Sequence, residues 1–189
     1  MEQNSRYIRL AADLQSDSIV DGPGLRAVLW TQGCGHHCEG CQNPQTWDFE
    51  GGGLIPIDVV LEAIDELECQ TGLTISGGDP MYQPEACTEI AEYARKKGLN
   101  IWVYTGFTFE QILKMSEKKP IYREFLDKID VLVDGKFILR KKNLNCLFRG
   151  STNQRLIDVK KSLSTGTVQV LDEYEYNEEK FFKREPMFV

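Results

Sequence analysis

The chain has no stretch approaching the roughly 18 consecutive apolar residues of a membrane span. Its opening, MEQNSRYIRLAADLQ, carries charges where a signal peptide would have its apolar core. The expectation is a cytoplasmic protein without a membrane partner. Positive charge is also in short supply: 22 Lys and Arg stand against 29 Asp and Glu, a net charge of -7. That balance excludes a protein whose main work is coating nucleic acid or anionic lipid. Histidine occurs only twice, at the adjacent positions His36 and His37. No Ser-His-Asp set, Walker-type phosphate loop or dinucleotide fingerprint is present. Neither an internal repeat nor a low-complexity linker interrupts the chain, and 41% hydrophobic with 27% charged residues excludes a disordered or collagen-like class.

What is present fits one domain over residues 1–189. Apolar runs at 25–31, 72–76, 100–105 and 130–134 predict strands, the first bounded by Gly22, Pro23 and Gly24. Between them, Ile57, Val60, Leu61, Ile64 and Leu67 recur at helical spacing. So do Ala86, Cys87, Ile90, Ala91 and Ala94, on a helix that stops near Gly98. Thr108 is placed to cap a helix through Met115, and 121–128 reads as a further helix. Regular alternation of strand and helix implies a mainly parallel α/β sheet. A closed eight-stranded barrel takes about 250 residues, so a partial, open (β/α) barrel is expected. RLIDV and TVQVL, beyond Gln154, are candidate strands.

Six cysteines in a chain without an export signal read as metal ligands, redox groups or buried thiols. Three of them, Cys34, Cys38 and Cys41, form a C-x3-C-x2-C array in CGHHCEGC, directly after the first expected strand. Thiolates this close converge on one centre at little entropic cost, and sulfur selects zinc or an iron–sulfur cluster. Zinc would take a fourth ligand from His36 or His37, and an electron-carrying cluster would take one from Cys69, Cys87 or Cys146. A four-iron cluster on three protein ligands would leave one iron open. Charge is uneven as well: from Lys136 to Lys161 there are eight bases and one acid, Asp158. Within that run Arg149, Gly150, Ser151, Asn153, Gln154 and Arg155 read either as a partner-binding segment or as a solvated face.

The array after a strand resembles the signature of radical S-adenosylmethionine (SAM) enzymes. LRAVLWTQGCGHHCEGCQNPQTW, LTISGGDP, IWVYTGF, DVLVDGKF and FRGSTNQR follow in order. Together they resemble the activases of glycyl-radical enzymes, in particular the activating proteins of anaerobic ribonucleoside-triphosphate reductases. The resemblance covers a core of about 22–158 and leaves 160–189 as an extension. It implies a 4Fe-4S cluster on Cys34, Cys38 and Cys41, SAM on the open iron, reductive cleavage to a 5′-deoxyadenosyl radical, and hydrogen abstraction from a glycine of the reductase. An external one-electron reductant such as flavodoxin would supply the electron. No side chain is expected to act as a catalytic group beyond cluster and SAM.

The same resemblance points to Gly40 and Gln42 near the adenine. It points to Ser76, Gly77, Gly78 and Asp79 around the methionine part, to Thr105 on the rim, to Asp134 at the ribose and to Lys136 at the carboxylate. Gly40 stands where the wider superfamily usually has an aromatic residue, and Asp79 where it usually has Glu. Cys69 and Cys87 are expected on helices as packing residues, and Trp47 as an apolar lid over the cluster loop.

Overall fold

The computed structural model describes residues 6–171 and Tyr174. In chain order it contains β1 (Tyr7–Leu10), β2 (Gln15–Ser18), β3 (Arg26–Thr31), β4 (Gly53–Pro56), α1 (Ile57–Asp65), β5 (Gly72–Gly77) and α2 (Pro84–Lys96). There follow β6 (Asn100–Tyr104), α3 (Phe109–Ser116), α4 (Ile121–Leu126), β7 (Val131–Asp134), β8 (Arg155–Asp158) and α5 (Val159–Thr165). One sheet runs β4-β1-β3-β5-β6-β7-β8, with β2 also on β3. Its central strands β3, β5, β6 and β7 are parallel, whereas β1, β2, β4 and β8 join antiparallel. The sheet is mixed α/β, mainly parallel at its centre and open, with β4 and β8 as its edges.

Side-chain alternation decides what each face does. Ala27, Leu29, Leu73, Ile75, Ile101, Val103, Leu132 and Ile157 point to one face. There they join Val60 and Ile64 of α1, Ala86, Ile90 and Ala94 of α2, Ile112 of α3 and Phe125 of α4 in a single core. The intervening positions form the opposite face. Register sets Trp30 beside Ser76 and Thr74 beside Trp102, so aromatic and polar side chains line the face without helices. All five residues expected on the buried face of the second helix are buried on α2, and Thr108 forms a full capping box with Gln111.

Several elements depart from the sequence expectation. β1, β2 and β4 have four residues each: β2 reads QSDS with no apolar alternation, and YIRL and GLIP are too short for theirs to announce a strand. Segment 155–158 is a strand, but 167–171 reaches β8 through one bridge only, Ile157 to Val170. Cys69 is exposed in the turn after α1, which ends at Asp65, and does not lie on a helix. The tail beyond Tyr174 lies outside the described residues.

The loop from 135 to 154 is mostly exposed, with Lys136, Arg140, Lys141 and Lys142 on the solvated face that the sequence suggested, but its 149–154 end knots back onto Gly135. Ser151 is fully buried and Arg149 nearly so. The Gln154 amide oxygen accepts from the Gly150 and Ser151 N–H groups, and its Nε2 donates to the Gly135 carbonyl. Arg155 closes the knot. It donates to both oxygens of Asp134, at 3.0 and 2.5 Å, and to both of Glu110, at 3.0 and 2.8 Å.

The guanidinium holds the Glu110 carboxyl at about 2, well below its ordinary 4.5. Because the folded value is the lower one, this stabilisation is complete above about pH 4.5 and is lost as pH falls toward 2. Glu110 is more than half exposed, so solvent screening limits the effect to about 1 kcal/mol. Glu110→Gln should therefore flatten the fall in unfolding free energy between about pH 5 and 2, measured by urea titration at each pH. Parallel wild-type and variant curves would contradict it.

Candidate metal centre

The cysteine array leaves the C-terminal end of β3, and backbone hydrogen bonds pin its base. Gly33 N–H donates to the Thr46 carbonyl at 2.9 Å and Cys34 N–H to that of Trp47 at 3.1 Å. From β5, Asp79 N–H donates to the Gly33 carbonyl at 2.9 Å. Gln32, itself buried, donates from its side chain to the Gln45 and Asp48 carbonyls. The loop is thus tied at both ends before any ligand is considered. A Cβ on Gly40 would lie 2.9 Å from Leu139 Cδ1, so the loop's close approach to the 138–141 turn gives this glycine a packing role.

Cys41 Sγ accepts the Asn43 N–H at 3.4 Å, and the backbone at His36 and Phe137 favours the thiolates of Cys34 and Cys38. Burial pushes the Cys34 thiol up to about 11 and raises that of Cys38. A buried thiolate is disfavoured until a positive centre offsets the lost hydration, and metal binding then releases its proton. Three cysteine sulfurs in one loop, Cys41 with an N–H donor aimed at it, fit an iron–sulfur cluster, whose properties depend on such bonds. Among the described residues no three Cys, His, Asp or Glu side chains are already gathered about a single metal-ion position. His36 Nε2 lies 2.7 Å from Asp79 Oδ2. The His37 ring stands edge-on to Trp47 with centroids 5.0 Å apart, so Trp47 covers the loop's side.

A groove of about 410 Å³ opens beside Cys41 on the helix-free face. Gln42 and Ser76 line it, together with Trp30, Tyr104, Phe137 and Gln154. Its size suits a nucleoside-sized ligand. A second groove of about 440 Å³ shares Gln42 and Tyr104 and reaches Cys146 and the exposed Leu144 and Leu147. A third, of about 450 Å³, lies at the opposite ends of the strands around Arg26, Thr71 and Asn100, away from the cysteines.

The sequence-expected residues divide accordingly. Gln42 and Ser76 meet Cys41 in one groove, and the Lys136 charge acts on the Cys38 thiol. Gly77 and Gly78 pack against the backbone of Thr31 and Gly33. Asp79 and Thr105 are buried and bonded to each other. Asp134 is buried and engaged by Arg155 and by the Phe109 N–H. None of these last five lines the groove beside Cys41. Sequence reasoning missed Trp30, Tyr104 and Phe137. For the first two the signal was available: period-two alternation puts them opposite Leu29 and Val103, whose face the helices cover.

Loop and fold together define a protein built around a single iron–sulfur loop, and residues 20–157 match the family model described as a 4Fe-4S single cluster domain. The chain is 41% identical over 147 residues to the anaerobic ribonucleoside-triphosphate reductase-activating protein of Enterobacteria phage T4, covering 73% of this chain and 86% of that one. Proteins of the same name from Haemophilus influenzae and Escherichia coli are 35% and 34% identical, over 72% of this chain and 89% and 90% of theirs. The chain belongs to this family of reductase-activating proteins. Among solved structures, QueE from Escherichia coli aligns with TM-score 0.41 and 16% identity over 54% of this chain and 53% of that one, a likeness too slight to bear on function.

Proposed function

We propose that this protein activates an anaerobic ribonucleoside-triphosphate reductase as a SAM-dependent glycyl-radical-generating enzyme, and that its open sheet is a partial radical-SAM barrel. When bound, a 4Fe-4S cluster and SAM supply a 5′-deoxyadenosyl radical, formed by one-electron cleavage, that takes a hydrogen atom from a glycine Cα of the reductase. The chain's own residues hold and shield. Cys34, Cys38 and Cys41 would hold the cluster, with the Asn43 N–H stabilising charge on the Cys41 sulfur. Gln42 and Ser76, which line the groove beside Cys41, would hold SAM there, and the Lys136 ammonium would pair with its carboxylate. Trp30, Tyr104 and Phe137 wall the groove and exclude water from a reactive species. Hydrogen-atom abstraction needs no general base. Orientation of the two reacting carbons supplies about 7–11 kcal/mol toward such a step. The electron comes from an external one-electron carrier such as flavodoxin.

The observation that carries this reading is the loop itself: three cysteines tied at the end of β3, opening on a nucleoside-sized groove that Cys41 lines. Anaerobic reconstitution with iron and sulfide, dithionite reduction and electron paramagnetic resonance with and without SAM test it. A four-iron signal that changes on adding SAM is expected. An unchanged signal would point to an electron carrier, and zinc uptake without iron to a structural module.

The other three cysteines should be dispensable for the cluster. Cys87 is fully buried in α2 and Cys69 is exposed after α1, while Cys146 lies near Gln42 and makes the sharpest case. Cys69→Ala, Cys87→Ala and Cys146→Ala should each keep wild-type iron content and the SAM-induced spectral change. Iron loss in any one would mean a fourth protein ligand.

A further inference from the structure

Asp79 is 1% exposed, and its carboxylate already accepts from four groups. Thr105 Oγ1 lies 2.9 Å from each of its oxygens, Met81 N–H is 3.0 Å from Oδ1, and Gly106 N–H is 2.9 Å from Oδ2. His36 Nε2 completes the set at 2.7 Å from Oδ2. A carboxylate has about four lone-pair sites, so no acceptor capacity is left for a ligand ammonium. Of these donors, only His36 belongs to the cysteine loop. His36 Nε2 and Asp79 Oδ2 share that hydrogen bond, the one that ties the loop to the end of β5.

The rest of the His36 surroundings is built around that bond. Its side chain is 7% exposed. The Phe107 ring packs edge-on against it with centroids 4.6 Å apart, and Tyr82 stands on another side at 6.1 Å. A Cβ on Gly106 would fall 2.3 Å from His36 Cδ2, so residue 106 has no room for a side chain while the imidazole is seated. The neighbouring residue in the loop, His37, takes a left-handed φ of 47°. The middle of the array, between Cys34 and Cys38, is therefore held by one side chain driven into the ends of β5 and β6.

We propose that His36 and Asp79 form a buried clamp that fixes the Cys34–Cys38–Cys41 loop in its ligand-holding shape, making both positioning residues for the cluster and Asp79 not a SAM contact. The inference rests on the function proposed above. Outer partners that orient a metal's ligands change retention by about 10–100-fold when removed. His36→Phe keeps the ring packing and loses the bond. His36→Gln places an amide N–H near the Nε2 position and offers nothing in place of Nδ1. Asp79→Asn keeps the size and replaces one acceptor with a donor facing Thr105, Gly106 and His36.

Full-length wild type and the three variants, reconstituted with iron and sulfide, would be compared by iron content, rate of iron loss to a ferrous chelator, SAM binding by calorimetry and circular dichroism. The expected result is folded chains in which His36→Phe and Asp79→Asn release iron at least about 10-fold faster and His36→Gln stays near wild type. At full cluster occupancy, SAM affinity should be unchanged in Asp79→Asn. Wild-type iron retention in His36→Phe would overturn the clamp. So would a His36→Gln variant as leaky as His36→Phe, since an N–H in the Nε2 position would then not hold the loop. A selective loss of SAM affinity in Asp79→Asn would restore that residue to the ligand. If wild type itself takes up no iron, the proposed function fails, whereas a failed clamp shows only in the variants.

Discussion

Cys34→Ala, Cys38→Ala and Cys41→Ala are each expected to yield a folded chain that forms no glycyl radical on the reductase and holds little or no cluster. The array is a loop outside the strands and helices, and the main hydrophobic core contains none of the three sulfurs. Cys34 is the most buried of them, at 8% exposed, and Cys38 and Cys41 are half-buried. Removing one sulfur therefore costs about 1 kcal/mol or less of fold, in line with substitutions away from a packed core. Removing one of three ligands leaves an iron without its protein bond, and no residue in the loop replaces it. His36 is engaged by Asp79, and His37 packs on Trp47. Circular dichroism should match wild type, iron analysis should show loss of the cluster, and the radical doublet on the reductase should be absent. A doublet of wild-type intensity from any one of the three would end the proposed mechanism.

Different parts of this outcome were legible for different reasons. The parallel centre could be read because β3, β5, β6 and β7 are apolar and bounded by glycine or proline, and because α2 shows its helical period cleanly in Ala86, Cys87, Ile90, Ala91 and Ala94. β1, β2 and β4 could not. They are short antiparallel additions whose stability comes from pairing with a partner already in place, and pairing leaves no mark on four residues, whether polar as in QSDS or apolar as in YIRL and GLIP. At the site, sulfur chemistry and spacing located the ligand loop, because ligands close in sequence are close in space. Asp79 and Asp134 show where that logic ends. Both stand at strand ends where carboxylates often meet ligands, yet each is consumed by donors from distant segments: Thr105, Gly106 and His36 in one case, Arg155 and Phe109 in the other. Partners 21 to 43 residues away decide the role of such a group, and one sequence does not display them.

The glycines of SGGDP pose the same question in a form that a stability measurement answers. Gly77 has φ of 100°, and its position opposite Thr31 in the β3–β5 register brings the two backbones together. A Cβ there would lie 2.5 Å from the Thr31 carbonyl oxygen and 2.7 Å from its nitrogen, both backbone atoms that cannot step aside. Gly98, after α2, has a similar φ of 87° and nothing within 4 Å of where its Cβ would be, so it isolates the conformational cost alone. Gly98→Ala should cost about 1 kcal/mol, the lower end for a non-glycine residue at positive φ. Gly77→Ala should cost about 2–4 kcal/mol, because displacing packed backbone adds roughly 1–3 kcal/mol to that strain. At about 2–4 °C per kcal/mol for a chain of this size, its Tm should fall by roughly 4–16 °C against a few degrees for Gly98→Ala. The damage should extend to the metal site, since Gly78 and Asp79 carry the bonds from β5 to Thr31 and Gly33 that anchor the cysteine loop. Gly77→Ala should therefore lose iron together with thermal stability. A variant with wild-type Tm and intact cluster but weakened SAM affinity would reverse the assignment. The motif's glycine would then be required by the ligand's approach, not by the closeness of two strands.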